Sequence, residues 1–371
     1  MLIKNASVYT QGRKFSKQDV LFDSRILEVG TISGIPDIDA EGCYLIPGLI
    51  DVHTHGAVNQ DFSDGNAEGI SNLSKYYAAS GVTSFLATTM TLSEDTLTSA
   101  MHTVRDFKRP EDGARCIGVH LEGPFLSYEK RGAQAPGYLH TPDIDMFRRL
   151  SDASGNIVKL VGIAPELPGS MDFIREASLT CAVSVAHSAA GYNTAMEAYR
   201  SGATQATHMF NGMNPLHHRD PAVVGAAYDS GAYAELICDG LHIHPAVIRI
   251  TFKLFGEKTL LISDSLRCAG MPDGNYELGG QPIVVKDSRA TLLDGTLAGS
   301  CISLLTAVKN VISFGIPAES AVCAATEAAA KAIRCDSFVG SIEVGKFADM
   351  LVLDRDFNLL TTIIDGKIIH N

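Results

Sequence analysis

His53 and His55 stand one residue apart at the end of the apolar run Leu45-Ile46-Pro47-Gly48-Leu49-Ile50-Asp51-Val52. Residues i and i+2 of an extended chain project to the same side, so the pair forms an imidazole clamp at a strand end. In a chain with 12 histidines such a pair arises by chance, and it gains weight only if other ligating groups answer it. They do. Glu122 follows a second apolar run in His120-Leu121-Glu122-Gly123-Pro124-Phe125, His187 follows Ala186, His208 follows Thr207, His242 closes Asp239-Gly240-Leu241, and Asp264 follows Ile262-Ser263. Imidazole nitrogens and carboxylate oxygens without thiolates suit a divalent zinc, iron, manganese or cobalt ion, and an incomplete protein shell leaves room for water. Such an ion lowers the pKa of bound water toward neutrality and polarises a bound carbonyl. His120 and Asp51 each lie two residues before a candidate ligand and are expected to pack in the layer beneath.

Side chains drawn from so many places need a scaffold that gathers strand ends. Eight apolar runs serve: Leu45 to Val52, Val82 to Ala87, Cys116 to Leu121, Ile157 to Ile163, Cys181 to Ala186, Thr204 to Thr207, Tyr233 to Cys238 and Thr259 to Ile262. Continuous apolar strands alternating with helical segments indicate a parallel sheet buried on both faces, and eight such units indicate an α/β fold of (β/α)8 TIM-barrel type. The helical segments include 67–80, stopping at Gly81, 189–201, stopping at Gly202, and, after the last barrel strand, 303–313 and 319–332. Between them, the glycine-rich stretch 273–280 leads into 282–298, which reads as hairpins. Residues 1–45 and 343–371 are short alternating strands and are expected to meet in a small β-sandwich domain, leaving 46–342 as the barrel.

The chain has 371 residues, a net charge of −12 and a pI near 5.4, which argue against a sequence-independent grip on nucleic acid or on an anionic membrane. An anionic substrate must therefore find its positive contacts locally. Eight dispersed cysteines without a Cys-x-x-Cys suit reduced thiols. With no apolar N-terminal segment of signal type, a soluble cytoplasmic protein is the expectation.

Pro47-Gly48-Leu49-Ile50-Asp51-Val52-His53-Thr54-His55-Gly56, His120-Leu121-Glu122-Gly123-Pro124-Phe125, Ala186-His187-Ser188, Thr207-His208-Met209-Phe210-Asn211-Gly212-Met213 and Ser263-Asp264-Ser265 resemble the motifs of the amidohydrolase superfamily. The second and fourth are similar to those of its deacetylases of N-acetylglucosamine 6-phosphate, and the resemblance spans nearly the whole chain. It implies one or two divalent metal ions per subunit, held by Glu122, His187 and His208, with His53 and His55 matching members that carry a second ion bridged by Glu122. It further implies Asp264 as the acid/base and Ala133, Gln134, Asn211, Gly212, Arg219, His242, Leu297, Ala298 and Gly299 as substrate contacts. Arg219 and His242 would hold the phosphate, Arg219 either in its own chain's site or across the interface of a homodimer.

Gly212 and Ser265 stand where the resemblance leads one to expect alanine, small changes expected to be tolerated. Gln134 takes the place of a carbonyl-polarising histidine, as in two-metal members, and Ala222 replaces a frequent glycine. The alternatives are the galactosamine epimer as substrate, or another amidohydrolase acting on cyclic amides or dipeptides. The latter would favour a bridging lysine at the end of strand 4, where this chain reads Gly162-Ile163-Ala164-Pro165-Glu166, with Lys159 inside the strand. A sugar-phosphate sensor without activity is disfavoured by the presence of Asp264 and all the candidate ligands.

Overall fold

Apolar runs of four to eight residues, each followed by a helix, bury both faces in a parallel sheet covered by those helices, and eight such units can close into a barrel. The computed structural model, which describes residues 1–10 and 12–370, has this form. Strands β1 (Leu49–Thr54), β2 (Val82–Thr89), β3 (Arg115–Leu121), β4 (Val158–Ile163), β5 (Ala182–Val185), β6 (Gln205–Ala206), β7 (Tyr233–Ile237) and β8 (Thr259–Ile262) form one parallel sheet in sequence order. Its two edges meet where the Asp264 N–H donates to the His53 carbonyl at 2.9 Å.

The barrel interior is packed by Ile50, Val52, Leu86, Leu160, Ala182, Ile237 and Ile262 and plugged by Ala329, Ala330 and Ile333. A larger apolar layer lies between strands and helices. The helix after β1 runs Ala67–Ala79 and ends ahead of Gly81, whose φ of +85° is the left-handed conformation that glycine adopts without a steric penalty.

Three expectations change in detail. The run 45–52 serves two sheets: Tyr44–Pro47 pairs with Leu2–Tyr9 and Met350–Leu353, whereas β1 begins at Leu49 and pairs with β2. The change of sheet falls at Gly48, not after residue 45, and a Cβ there would lie 2.1 Å from Thr83 Oγ1. The helix expected over 189–201 starts at Tyr192, because the Ala189 and Ala190 N–H groups donate to Glu166 and Ser188 side chains. The helix expected over 319–332 is two helices, Ala318–Ala325 and Glu327–Ala332, broken at Thr326, whose hydroxyl donates to the Val322 carbonyl at 2.6 Å.

Both chain ends contribute to a second, eight-stranded sheet with its own core of Ile3, Val8, Val20, Phe22, Leu45, Met350, Val352 and Ile363. Arg115, at the start of β3, ties it to the barrel through Asp349 at 2.6 Å and through Asp365. The stretch 273–298 forms a three-stranded antiparallel sheet, Gly274–Leu278, Gln281–Lys286 and Arg289–Leu292. Among the described residues no helix is long and apolar enough to cross a membrane.

Candidate metal centre

His187, His208 and Asp264 each lie two residues beyond the end of their strand, β5, β6 and β8, and each has a left-handed backbone, with φ of +43°, +29° and +47°. A non-glycine residue there costs about 1–3 kcal/mol, so the surrounding structure must hold it. The holding contacts are visible. The Ser188 N–H donates to the Gly212 carbonyl at 2.9 Å, the Ser188 hydroxyl to Glu166 at 2.7 Å, and the Ser300 N–H to the Asp264 carbonyl at 2.7 Å. At each of the three positions the turn ends the strand and the side chain joins the group of ligating atoms described next.

The side chains converge on Glu122. Its Oε1 lies 3.0 Å from His208 Nε2, 3.3 Å from His187 Nε2 and 3.4 Å from His53 Nε2, while its Oε2 lies 3.2 Å from His55 Nε2. Asp264 Oδ1 lies 3.3 Å from His55 Nε2 and 3.5 Å from His53 Nε2. Two triads result, Glu122 with His187 and His208, and His53 with His55 and Asp264; within each, the ligand atoms lie within 4.8 Å of one another.

These residues fit a metal by their own chemistry. His187 Nδ1 faces the Lys130 carbonyl at 2.8 Å and His208 Nδ1 the Asn211 carbonyl at 3.2 Å, which makes both Nδ1 atoms donors. In neutral rings the two Nε2 lone pairs then face each other across 3.1 Å, a repulsion that a cation between them removes. His53 Nε2 is buried and makes no hydrogen bond among the described residues. Without an ion, protons must play its part. Burial alone would depress the imidazoles, yet Glu122 and Asp264 hold His53 well above its ordinary range and His55 up at about 9. The same attraction outweighs burial at Glu122 and Asp264 and holds both below the usual carboxylate range.

Above the cluster opens a cleft of about 340 Å³. Its lining includes His55, Glu122, His187, His208 and Asp264, together with Ala133, Gln134, Asn211, Gly212, His242, Leu297, Ala298 and Gly299. His53, fully buried, lies beneath. Arg219 does not reach the cleft of its own chain: it is exposed, on the loop before the helix Ala222–Ser230, with its guanidinium 2.7 Å from His218 Nε2. None of the residues lining the cleft is Lys or Arg. Leu278 and Thr296, in and beside the three-stranded sheet, also line it.

Gln134 is oriented on both sides, its oxygen accepting from the Thr91 N–H at 2.8 Å and its nitrogen donating to Glu122 Oε2 at 2.7 Å. Asn211 spends its amide N–H groups on the carbonyls of His208 and Met209, at 3.2 and 3.4 Å. His242 Nδ1 is held by Asp239 at 2.7 Å. Gly212 has φ of +60°, and a Cβ there would lie 2.9 Å from His187 Nδ1, so the glycine leaves that ring its room. As expected, Asp51 and His120 are buried beneath the ligands. Asp51 accepts from the His53 and Ser263 N–H groups, each at 3.3 Å, and burial keeps the His120 ring well below its ordinary pKa.

Glu235 escaped the sequence reading, and Glu166 was read there only as the end of strand 4, without its contacts to Ser188 and Ala189. Glu235 sits inside β7 with its Oε2 3.3 Å from His53 Nδ1, and its one signal was a charged residue in an otherwise apolar run.

A family model for the amidohydrolase family matches residues 44–369. An N-acetylglucosamine-6-phosphate deacetylase from Bacillus subtilis is 36% identical over 332 residues, covering 87% of this chain and 84% of that protein. The crystal structure of an N-acetylglucosamine-6-phosphate deacetylase from Pasteurella multocida superposes with a TM-score of 0.94 at 30% identity, covering 100% of this chain and 99% of that one. A mutant of the Mycobacterium smegmatis enzyme of the same name, in complex with N-acetyl-D-glucosamine-6-phosphate, also reaches 0.94, at 27% identity and with 100% and 99% of the two chains covered.

Proposed function

The chain belongs to the amidohydrolase family, among the N-acetylglucosamine-6-phosphate deacetylases, and from that premise we propose how its own residues divide the work. The reaction is hydrolysis of the N-acetyl group of N-acetylglucosamine 6-phosphate to glucosamine 6-phosphate and acetate. One observation carries the assignment of roles: Asp264 lines the cleft and touches His55 at its floor while standing outside the Glu122–His187–His208 triad.

Glu122, His187 and His208 would hold one divalent ion, and His53, His55, Asp264 and the second oxygen of Glu122 another. When bound, such an ion lowers the pKa of water toward about 7 and polarises the acyl oxygen. Asp264, ionised because the imidazoles beside it outweigh its burial, takes the proton of the attacking water and returns it to the departing amine. Gln134 holds Glu122 in place, and its remaining N–H, whose other neighbour is Met90 Sδ at 4.0 Å, is available to the acyl oxygen as negative charge develops there. Asn211, both N–H groups engaged, offers its Oδ1 to a sugar hydroxyl.

The phosphate needs a cation that the cleft of one chain lacks. We assign this part to His242 together with Arg219 of a second copy, which makes the working unit a homodimer. Arg219→Ala is expected to raise KM for the phosphorylated sugar about 10- to 10³-fold, the loss of one or two charge-assisted hydrogen bonds, while kcat stays within a few-fold. Mixing Arg219→Ala with Asp264→Asn protomers should restore activity through sites that combine one intact half from each. No recovery in mixed dimers would place the arginine in its own chain's site. Eight free cysteines support a reducing compartment such as the cytoplasm.

The test of the reaction is release of amine and acetate in equal amounts from N-acetylglucosamine 6-phosphate by metal-loaded protein, run beside the galactosamine epimer and the unphosphorylated sugar. Faster turnover of the epimer would reassign the substrate, and no turnover of either phosphate by folded, loaded protein would reject it.

A further inference from the structure

We infer that Glu235 is a positioning residue that decides whether the His53–His55–Asp264 half of the centre holds its ion. The inference rests on the two-ion reading above and concerns how the two halves differ. In the Glu122–His187–His208 half, both imidazoles have their Nδ1 fixed by backbone carbonyls, of Lys130 and Asn211, which no side-chain change can remove. The other half has no such backbone support: His55 Nδ1 is buried without a partner among the described residues, and His53 Nδ1 meets only Glu235 Oε2, at 3.3 Å.

Glu235 is fully buried, its side chain 0% exposed, and its other oxygen has no partner among the described residues. A carboxylate in that position, with a histidine as its one polar contact, is costly to bury unless positive charge lies close by. With an ion bound, His53 provides it through its far side. A carboxylate accepts and does not donate, so Nδ1 carries the hydrogen and Nε2 presents its lone pair toward Glu122 and Asp264. An ion bound there is linked to Glu235 through the ring, which is how an outer carboxylate raises the basicity of a histidine ligand.

The experiment counts metal, not turnover. Protein stripped by a chelator is titrated with Zn²⁺ or Co²⁺, the bound ion is measured by elemental analysis, and the Co²⁺ absorption of each equivalent is recorded. Wild type should take two equivalents. Glu235→Leu should take the first with unchanged affinity and spectrum and the second about 10²-fold more weakly; Glu235→Gln, which can still accept from Nδ1 but carries no charge, should weaken the second about 10-fold. On a His53→Ala background, where the second equivalent is already weakened, adding either Glu235 variant should change its affinity little further, because Glu235 acts through His53. If Glu235→Leu does not fold, Glu235→Gln decides alone.

Two tight equivalents in every folded variant, or loss of both equivalents together, would overturn the role of Glu235. A wild type that binds a single ion would overturn it too, while deacetylation by that one-ion protein would leave the proposed function standing.

Discussion

Asp264→Asn is expected to lower kcat for N-acetylglucosamine 6-phosphate by about 10²- to 10⁴-fold, toward the upper end because one carboxylate serves first as base and then as acid. Asparagine is the informative replacement here. It tolerates the left-handed φ of +47° that Asp264 adopts, so the backbone bonds to His53 and Ser300 should survive. It also keeps an oxygen toward His53 and His55, and with it most of the packing. The ion held by Glu122, His187 and His208 should remain, since Asp264 is not one of its ligands. Kinetics and elemental analysis on the same preparation check this. A variant that retains its metal and a tenth or more of wild-type kcat would sink the acid/base role.

Removing the metal should abolish turnover and also reverse how stability responds to pH. In the stripped protein His55 titrates at about 9 and His53 well above its ordinary value, because Asp264 and Glu122 outweigh the burial that would depress both rings. A folded-state pKa raised above the unfolded value of about 6.5 stabilises fully below 6.5 and is lost as pH climbs through the folded value. His55 alone puts on the order of 3 kcal/mol into the window from 6.5 to 9, at 1.36 kcal/mol per unit. The loaded protein behaves in the opposite sense, since its ligands must be neutral imidazoles and protons compete with the ion as pH falls. The gap in Tm between loaded and stripped protein should therefore widen from pH 6.5 to pH 9. A stripped protein whose Tm is flat across that window would show that the buried rings carry no protons.

Much of the centre was legible because the barrel puts its chemistry at strand ends, where a histidine after an apolar run stands out. His53, His55, Glu122, His187, His208 and Asp264 were read in this way, and they do meet. What remained hidden did so for identifiable reasons. Glu235 lies inside a strand, at a position whose side chain points into the barrel, and a single charge in Tyr233-Ala234-Glu235-Leu236-Ile237 does not announce which neighbour it serves. The handover between sheets at Gly48 leaves no trace in hydrophobicity, because residues on both sides of it are buried. The break at Thr326 depends on a side-chain hydroxyl capturing a carbonyl, in a stretch whose alanine content favours unbroken helix.

The left-handed backbones of His187, His208 and Asp264 bear on how such a protein can change over generations. Glycine would relax each of the three turns, and β-branched residues would be shut out of them. Drift at these positions is thus biased in one direction: losing a ligand can improve folding, whereas exchanging it for another is open to a short list of residues such as Asn or Asp. A lineage released from the need for this reaction would be expected to shed the centre readily and keep the barrel.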